Sequence, residues 1–312
     1  MQPLKGKVAV VAGATRGAGR GIARMLGEAG ATVYCTGRSV RGKPSVANRS
    51  ETIEETAELV TARGGVGLWV QVDHTQPAQV RALFERVKQE QRGRLDILVN
   101  DLSGDWNLME HGILPYASNP ASQWKPFWAT SLEKGLQAQQ DGVDSHIITS
   151  HYAAQLMVVN RQGLIIEVTD ANHLGYNNCG IFYSLTKASA VLLAYFMAEE
   201  LREHNIAVVS LTPGDMLSEV RLEREGEGLT EENWGEIKNK PSLANKESCF
   251  YIGRAVVALA TDPKIMAKTG HALSAGYLAR EYGFTDVGGT QPIWYVGEGI
   301  FSNGNFVVQE DQ

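Results

Sequence analysis

The chain reads as an α/β fold: a doubly wound, mostly parallel sheet in three layers, contained in a single domain. Three observations point there. Short β-type runs alternate with helical periods along most of the chain, several of those runs are almost wholly apolar, and the first leads through a glycine-rich turn into a helix. Near-continuous apolar strands are what a sheet covered on both faces requires.

The elements follow in order. Strands are predicted at 7–12, 31–36, 67–72, 95–100, 163–169, 206–211 and 270–275, and helices at 17–29, 51–63, 77–92, 180–204 and 250–261. Val8–Ala12, Leu95–Val99 (interrupted by Asp96) and Ala207–Leu211 are the most apolar runs. Three segments break the alternation. Residues 38–50 are basic and turn-rich, 101–135 carry Trp106, Trp124, Phe127 and Trp128, and 215–248 are charged and include Pro241. Long loops at the carboxyl ends of parallel strands usually build the ligand site, so 101–135 and 215–248 are the expected substrate loops. The glycine- and aromatic-rich stretch 276–312 is expected as an extension packed on the same domain.

Composition narrows the partners. The 312 residues are 43% hydrophobic and 21% charged, and the net charge of −6 gives no electrostatic reason for binding nucleic acid or anionic lipid. No apolar stretch approaches the ~20 residues that cross a bilayer, and a strand beginning near residue 7 leaves no room for a secretory leader. Cys35, Cys179 and Cys249 are few and widely spaced, which argues against a disulfide framework or a zinc site. No metal is expected, and a reducing, cytoplasmic location is.

The turn is Gly13-Ala14-Thr15-Arg16-Gly17-Ala18-Gly19. Glycines at 13, 17 and 19 let the backbone bend tightly and approach a pyrophosphate, while the following helix offers its N-terminal N–H groups. This strand–turn–helix is a candidate dinucleotide site, with Thr15 and Arg16 inside the turn. The second strand ends Thr36-Gly37-Arg38-Ser39. A site for the unphosphorylated ribose wants a carboxylate there. Arg38 instead suits a 2′-phosphate, so NADP(H) is favoured over NAD(H). Asp73, ending the third strand, suits the adenine amino group or a helix cap.

Far downstream, Tyr183-Ser184-Leu185-Thr186-Lys187 lies in a helical period. Tyr183 and Lys187 are four apart and share one helix face. A free phenol titrates near about 10, and a neighbouring ammonium lowers that value. Such a tyrosine can protonate a developing alkoxide or deprotonate an alcohol, while the lysine holds the nicotinamide ribose.

Together, Gly13/Gly17/Gly19, Leu98-Val99-Asn100, Tyr183/Lys187 and Pro213-Gly214 resemble the short-chain dehydrogenase/reductase family over about residues 5–290. Val256–Pro263 and Leu278–Gly283 resemble its dehydrogenase/reductase member 1 group in particular. The resemblance implies a Rossmann-type fold, NAD(P)(H), carbonyl–alcohol interconversion and a homodimer or homotetramer. It further implies that Asn100 supports the central sheet near the cofactor, that Pro213 and Gly214 turn against the nicotinamide, and that Ser218 holds the carboxamide.

Two departures stand out. The family's catalytic serine lies thirteen residues before the tyrosine, which is Asp170, and its helix asparagine aligns with Gly142. Asp170 can be buried and protonated, donating as a serine would. It can be ionised and bind a cationic substrate such as an iminium, or face away while Thr169 supplies the hydroxyl. An ionised Asp170 would raise the pKa of Tyr183.

The aromatics of 101–135 either line an apolar substrate pocket or pack their loop onto the sheet. His146 and His151 read as structural or solvated, and the acidic run Glu219–Glu232 as a solvated, mobile lid. The reading is an NADPH-dependent carbonyl reductase with Tyr183 as proton donor, Lys187 assisting, and Asp170 or Thr169 orienting an apolar small molecule. A cofactor-binding sensor without turnover is one rival, and a different reaction on the same fold, such as imine reduction or dehydration, is the other.

Overall fold

A computed structural model describes residues 2–46, 48–103, 105, 126–170, 174, 179–294, 298–302 and 305–309. Among the described residues there are eleven strands: β1 (Val8–Ala12), β2 (Thr32–Gly37), β3 (Val66–Gln71), β4 (Ile97–Asn100), β5 (Gly163–Val168), β6 (Ile206–Thr212), β7 (Met216–Leu217), β8 (Glu247–Ser248), β9 (Ala272–Ser274), β10 (Glu298–Ser302) and β11 (Asn305–Gln309). Nine form one sheet in the order β11-β10-β9-β6-β5-β4-β1-β2-β3. Every pairing from β3 to β9 is parallel; β10 and β11 add an antiparallel edge. The predicted doubly wound sheet is therefore the observed one.

Strand alternation divides the core in two. Ala9 and Val11 of β1 point into one apolar layer, Val8 and Val10 into the other. The first layer is completed by α1 (Gly17–Glu28), α2 (Ile53–Ala62) and, further along the chain, two helices at Cys249–Thr261 and Ala275–Tyr282. The second is completed by α3 (Pro77–Glu90) and by helices at Ser145–Asn160 and Ile181–Leu201. In chain order these later helices are α5 (Ser145–Asn160), α6 (Ile181–Leu201), α8 (Cys249–Thr261) and α9 (Ala275–Tyr282), with α4 at Leu132–Gln139 and α7 at Glu219–Glu225. Successive connections run to opposite sides of β1, so a crevice opens beside its carboxyl end.

Several expectations are corrected. The strand predicted from 95 begins at Ile97, because the Asp96 carboxylate accepts the Val8 N–H at 2.9 Å and pairs with Lys7 and Arg94. The two substrate loops are not structureless: 101–135 contains the start of α4, and 215–248 contains α7 and the small β7–β8 sheet. The extension carries α9 and the β10–β11 hairpin, which joins the main sheet through Gly299 beside Ala272. Trp106 and Trp124 lie outside the described residues. Phe127 and Trp128 pack edge-on against each other at the surface, not into a pocket. Finally, Ile181–His204, with a mean hydropathy of 1.4, is long and apolar enough to cross a membrane by length and composition, contrary to the sequence reading. Its apolar character has a second use here, since Ala194, Ala198 and Leu201 pack in the sheet's second layer.

Candidate active site

The glycine turn is built as its residues require. Gly13 sits at φ +89°, and a Cβ there would lie 2.1 Å from the Asp101 carbonyl oxygen. Only glycine allows β1 and the β4 exit to approach so closely. At Gly17 (φ +60°) the nearest atom to such a Cβ is Ser218 Cβ, 3.9 Å away. Gly19 faces inward: its N–H donates to Asp101 Oδ2 at 2.5 Å, and it lets α1 pack on the Gly13 carbonyl.

The Gly17 N–H donates to Glu219 Oε2 at 2.8 Å, and Glu219 Oε1 lies 3.6 Å from Arg20 Nε. A carboxylate thus rests on the N-terminus of α1, standing in for the negative charge that helix dipole and free N–H groups attract. A dinucleotide pyrophosphate matches the same end. This observation, with a cavity of about 810 Å³ running past the turn, shows that the residues fit a dinucleotide.

The cavity is lined by Gly13, Thr15, Arg16 and Gly17 at one end and by Thr169, Asp170, Tyr183 and Lys187 at the other. Arg38, Asp73, Pro213 and Ser218 also line it; Ser39, Asn100 and Gly214 do not. Arg38 is half-exposed at the rim, 3.9 Å from Asp141. Arg16 is more enclosed and faces Glu51, Nε to Oε2, at 3.5 Å. The Ser39 hydroxyl is buried against Ser45, closing the loop after β2. Asp73 caps the following turn, its Oδ1 accepting from the Thr75 N–H and hydroxyl. Asn100 donates from Nδ2 to Ser150 and Glu167 beneath the sheet end, a supporting position. The Gly214 N–H donates to Glu247 Oε2 at 2.8 Å, which fixes the turn after β6 from behind.

At the catalytic end the short distances converge on one carboxylate oxygen. The Tyr183 hydroxyl donates to Asp170 Oδ2 at 2.5 Å, and Lys187 Nζ lies 3.1 Å from the same atom. Lys187 Nζ also donates to Asp105 Oδ2 at 2.9 Å. Burial works to raise the Asp170 pKa, but the Lys187 ammonium and the hydrogen bonds from Tyr183 and Lys187 outweigh it and hold the carboxyl below its ordinary value. Burial would lower the Lys187 pKa, yet Asp105 and Asp170 keep it above its ordinary value. Burial, and then the charges of Asp170 and Asp105, push the Tyr183 phenol well above its ordinary value. The arrangement is an ionised carboxylate holding a neutral phenol and an ammonium. Thr169 is committed elsewhere, since its hydroxyl donates to the Lys187 carbonyl oxygen at 2.9 Å and pins β5 to α6.

Gly142 lies buried in a wide π turn, Gln140–Asp144, between α4 and α5. It does not line the cavity, whereas its neighbour Asp141 does. The π turn therefore presents no amide at the expected asparagine position. His146 is buried, ion-paired with Glu167, and its Nε2 meets the Leu102 carbonyl at 2.7 Å; the carboxylate of Glu167 raises its pKa despite burial. His151 is exposed.

Sequence reasoning missed four acidic residues. Asp101 and Asp105 follow β4 at the ligand-binding end of the sheet, a positional signal that was available. Burial pushes Asp101 up to about 7, against the Gly19 N–H that lowers it. Glu247 had no local signal, and Glu219 was hidden in the acidic run. That run is solvated only in part: Glu223, Arg224, Glu227 and Glu232 are exposed. Glu219 is largely covered, Glu223 pairs with Arg49 and Glu231 with Arg24, so the segment is fastened onto the glycine-turn side of the molecule.

Fold and cavity define an NAD(P)-dependent dehydrogenase/reductase. The short chain dehydrogenase family matches residues 7–227, and the chain belongs to that family. It is similar to the mouse protein "Dehydrogenase/reductase SDR family member 1", with 38% identity over 290 residues covering 92% of this chain and 85% of that one. The human protein of the same name is 36% identical over 288 residues, with the same coverage of 92% and 85%. Among solved structures, a short chain dehydrogenase from Mycobacterium thermoresistibile superposes with a TM-score of 0.71 at 21% identity, covering 91% of this chain and 90% of that one. A hydroxysteroid dehydrogenase from Escherichia coli gives 0.64 at 24%, covering 87% and 96%. At those identities the two structures speak for the fold alone.

Proposed function

We propose that the protein is an NADP(H)-dependent reductase that interconverts a carbonyl and an alcohol on a small molecule with an apolar body, using Tyr183 as proton donor. The observation that carries this reading is the Tyr183–Asp170–Lys187 cluster opening into a cavity continuous with the glycine turn. NADP(H) would lie between the glycine turn and Lys187, with Arg38 at the 2′-phosphate, and supplies the hydride when bound. Tyr183 stays protonated until negative charge develops on a substrate oxygen, because its surroundings oppose a free phenolate. A developing alkoxide is a strong enough base to take that proton. Lys187, held between two carboxylates, stabilises the phenolate left behind and is placed to grip the ribose. Asp170 orients the phenol, and Thr169 sets the position of the Lys187 backbone. Cys179, packed beside Tyr183, offers an apolar surface at this end, and Met216 and Val220 line the same cavity.

Exposed apolar side chains on α4, α5 and α6, among them Leu136, Ile147, Leu185 and Phe196, support a homodimer or homotetramer. The test of function is NADPH oxidation across ketones, aldehydes and quinones with identification of the alcohol product. Turnover that Tyr183→Phe abolishes supports the reading. Tight NADPH binding without turnover of any of these classes favours the sensor.

A further inference from the structure

Resting on the reading above, we propose that Asp170 is a specificity-determining residue that seats a protonated amine beside the reacting carbonyl, so that the substrate class is the α-amino ketone and its product the vicinal amino alcohol.

The argument begins with charge. At the catalytic end of the cavity two carboxylates, Asp105 and Asp170, face a single ammonium, Lys187. The other described cations that line the cavity are placed elsewhere. Arg16 and Arg38 belong to the glycine-turn end, and Arg221 and Lys246 both pair with Asp215. Among the described residues the reacting end therefore carries more carboxylates than cations. A plain ketone makes poor use of that. As hydride arrives, its oxygen gains negative charge beside Asp170, whose carboxylate can accept hydrogen bonds but cannot donate one.

An ammonium next to the carbonyl reverses the balance. Asp170 is not sealed off: its side chain is 42% exposed, and it lines the cavity. Its Oδ2 lies 2.5 Å from the Tyr183 hydroxyl. In an α-amino ketone the carbonyl oxygen and the nitrogen are joined through two carbons and lie about 3 Å apart, within ordinary hydrogen-bonding dimensions. One ligand can thus put its oxygen on Tyr183 and its N–H donors on Asp170. The ammonium also takes over as donor to the carboxylate, freeing the tyrosine proton for the substrate oxygen. In the reaction the hydride of reduced nicotinamide bonds to the carbonyl carbon, and the C=O π pair moves to oxygen. Oxygen takes the Tyr183 proton, and oxidised nicotinamide is left. The amine is neither made nor broken.

The test uses α-aminoacetophenone against propiophenone, in which a methyl group replaces the ammonium. Turnover with NADPH is compared for the full-length wild type, Asp170→Asn and Asp170→Ser. In parallel, calorimetry with NADPH present, which cannot react with an alcohol, compares binding of the matching alcohols, phenylethanolamine and phenylpropanol. The wild type should favour the amino ketone in kcat/KM, and the amino alcohol in affinity, by about tenfold or more. Both preferences should vanish in Asp170→Asn, and Asp170→Ser should gain propiophenone turnover. Thermal melting of each variant separates loss of the contact from loss of the fold. Tyr183-dependent reduction of propiophenone with no amine preference overturns this inference and leaves the proposed function intact. With no turnover of either ketone by an enzyme that binds NADPH, the binding comparison decides alone, and the proposed function is judged on the wider carbonyl panel. Equal affinity for the two alcohols overturns the inference; an Asp170-dependent preference upholds the seat.

Discussion

Replacing Arg38 by alanine should weaken NADPH binding and leave NADH binding nearly unchanged. The guanidinium is 47% exposed, and its nearest described carboxylate, Asp141, is 3.9 Å away, too long for a hydrogen bond. A 2′-phosphate therefore has little to displace. Hydrogen bonds to charged groups contribute about 1.5–3 kcal/mol. Half-exposure and salt screening place this contact toward the lower end, at about 1.5–2 kcal/mol. At ~1.4 kcal/mol per tenfold change, that is a loss of about 12- to 30-fold in NADPH affinity. Arg16 adds less, because Glu51 already faces it. The assay is fluorescence titration of both dinucleotides against wild type and Arg38→Ala at low and physiological salt. The wild-type preference for NADPH should shrink as salt rises. Equal losses for the two cofactors, or a wild type that prefers NADH, would refute the assignment of Arg38 to the phosphate.

Three further outcomes are expected. Glu219→Gln removes a negative charge from the N-terminus of α1. Titration of the variant should show NADPH bound about two- to fivefold more tightly, while the melting temperature without cofactor falls, since a carboxylate there contributes about 0.3–1 kcal/mol; unchanged affinity would mean that Glu219 and the pyrophosphate do not compete. Burial pushes Glu247 up to about 8, so the folded state holds its proton where the unfolded chain has released it. Its stabilising contribution is complete below about pH 4.5 and is lost as pH rises through about 8. The melting temperature of Glu247→Gln minus that of wild type should therefore climb between those limits, and a flat difference contradicts the buried titration. Thr169→Val loses one hydrogen bond to the Lys187 carbonyl, costing about 1 kcal/mol of stability by chemical denaturation. It should keep most of the turnover number; collapse of activity at intact stability would return the serine role to Thr169.

How much of this the sequence discloses depends on range. The parallel strands are legible because β-branched apolar runs such as Ile206–Leu211 suit burial on both faces. Tyr183 and Lys187 are legible because helical spacing alone puts them on one face. The partners that decide their chemistry are not. Asp105 reaches Lys187 across 82 residues, and Glu219 reaches Gly17 across 202. No local pattern encodes such contacts. Helix α7 was hidden for a related reason. Its seven residues are mostly charged, and only Val220 and Leu222 give it apolar packing beside the ion pairs to Arg20 and Arg49. The β10–β11 hairpin owes its place to pairing with β9 and to stacking of Phe301 on Tyr195, again distant in sequence. Ser39 shows the converse limit. It stands beside Arg38 in the chain, but past the end of β2 its hydroxyl is taken up by Ser45 and closes the loop instead of lining the cavity.

The account rests on Tyr183 as the proton donor, and single-turnover kinetics test that most directly. NADPH oxidation would be followed by stopped flow in wild type and Tyr183→Phe, with NADPH affinity measured for both. The account predicts affinities within about twofold and a transfer step slowed by about 10²- to 10⁴-fold in the variant, the range a positioned acid contributes. A variant that oxidises NADPH at the wild-type rate, with substrate turned over, would contradict it.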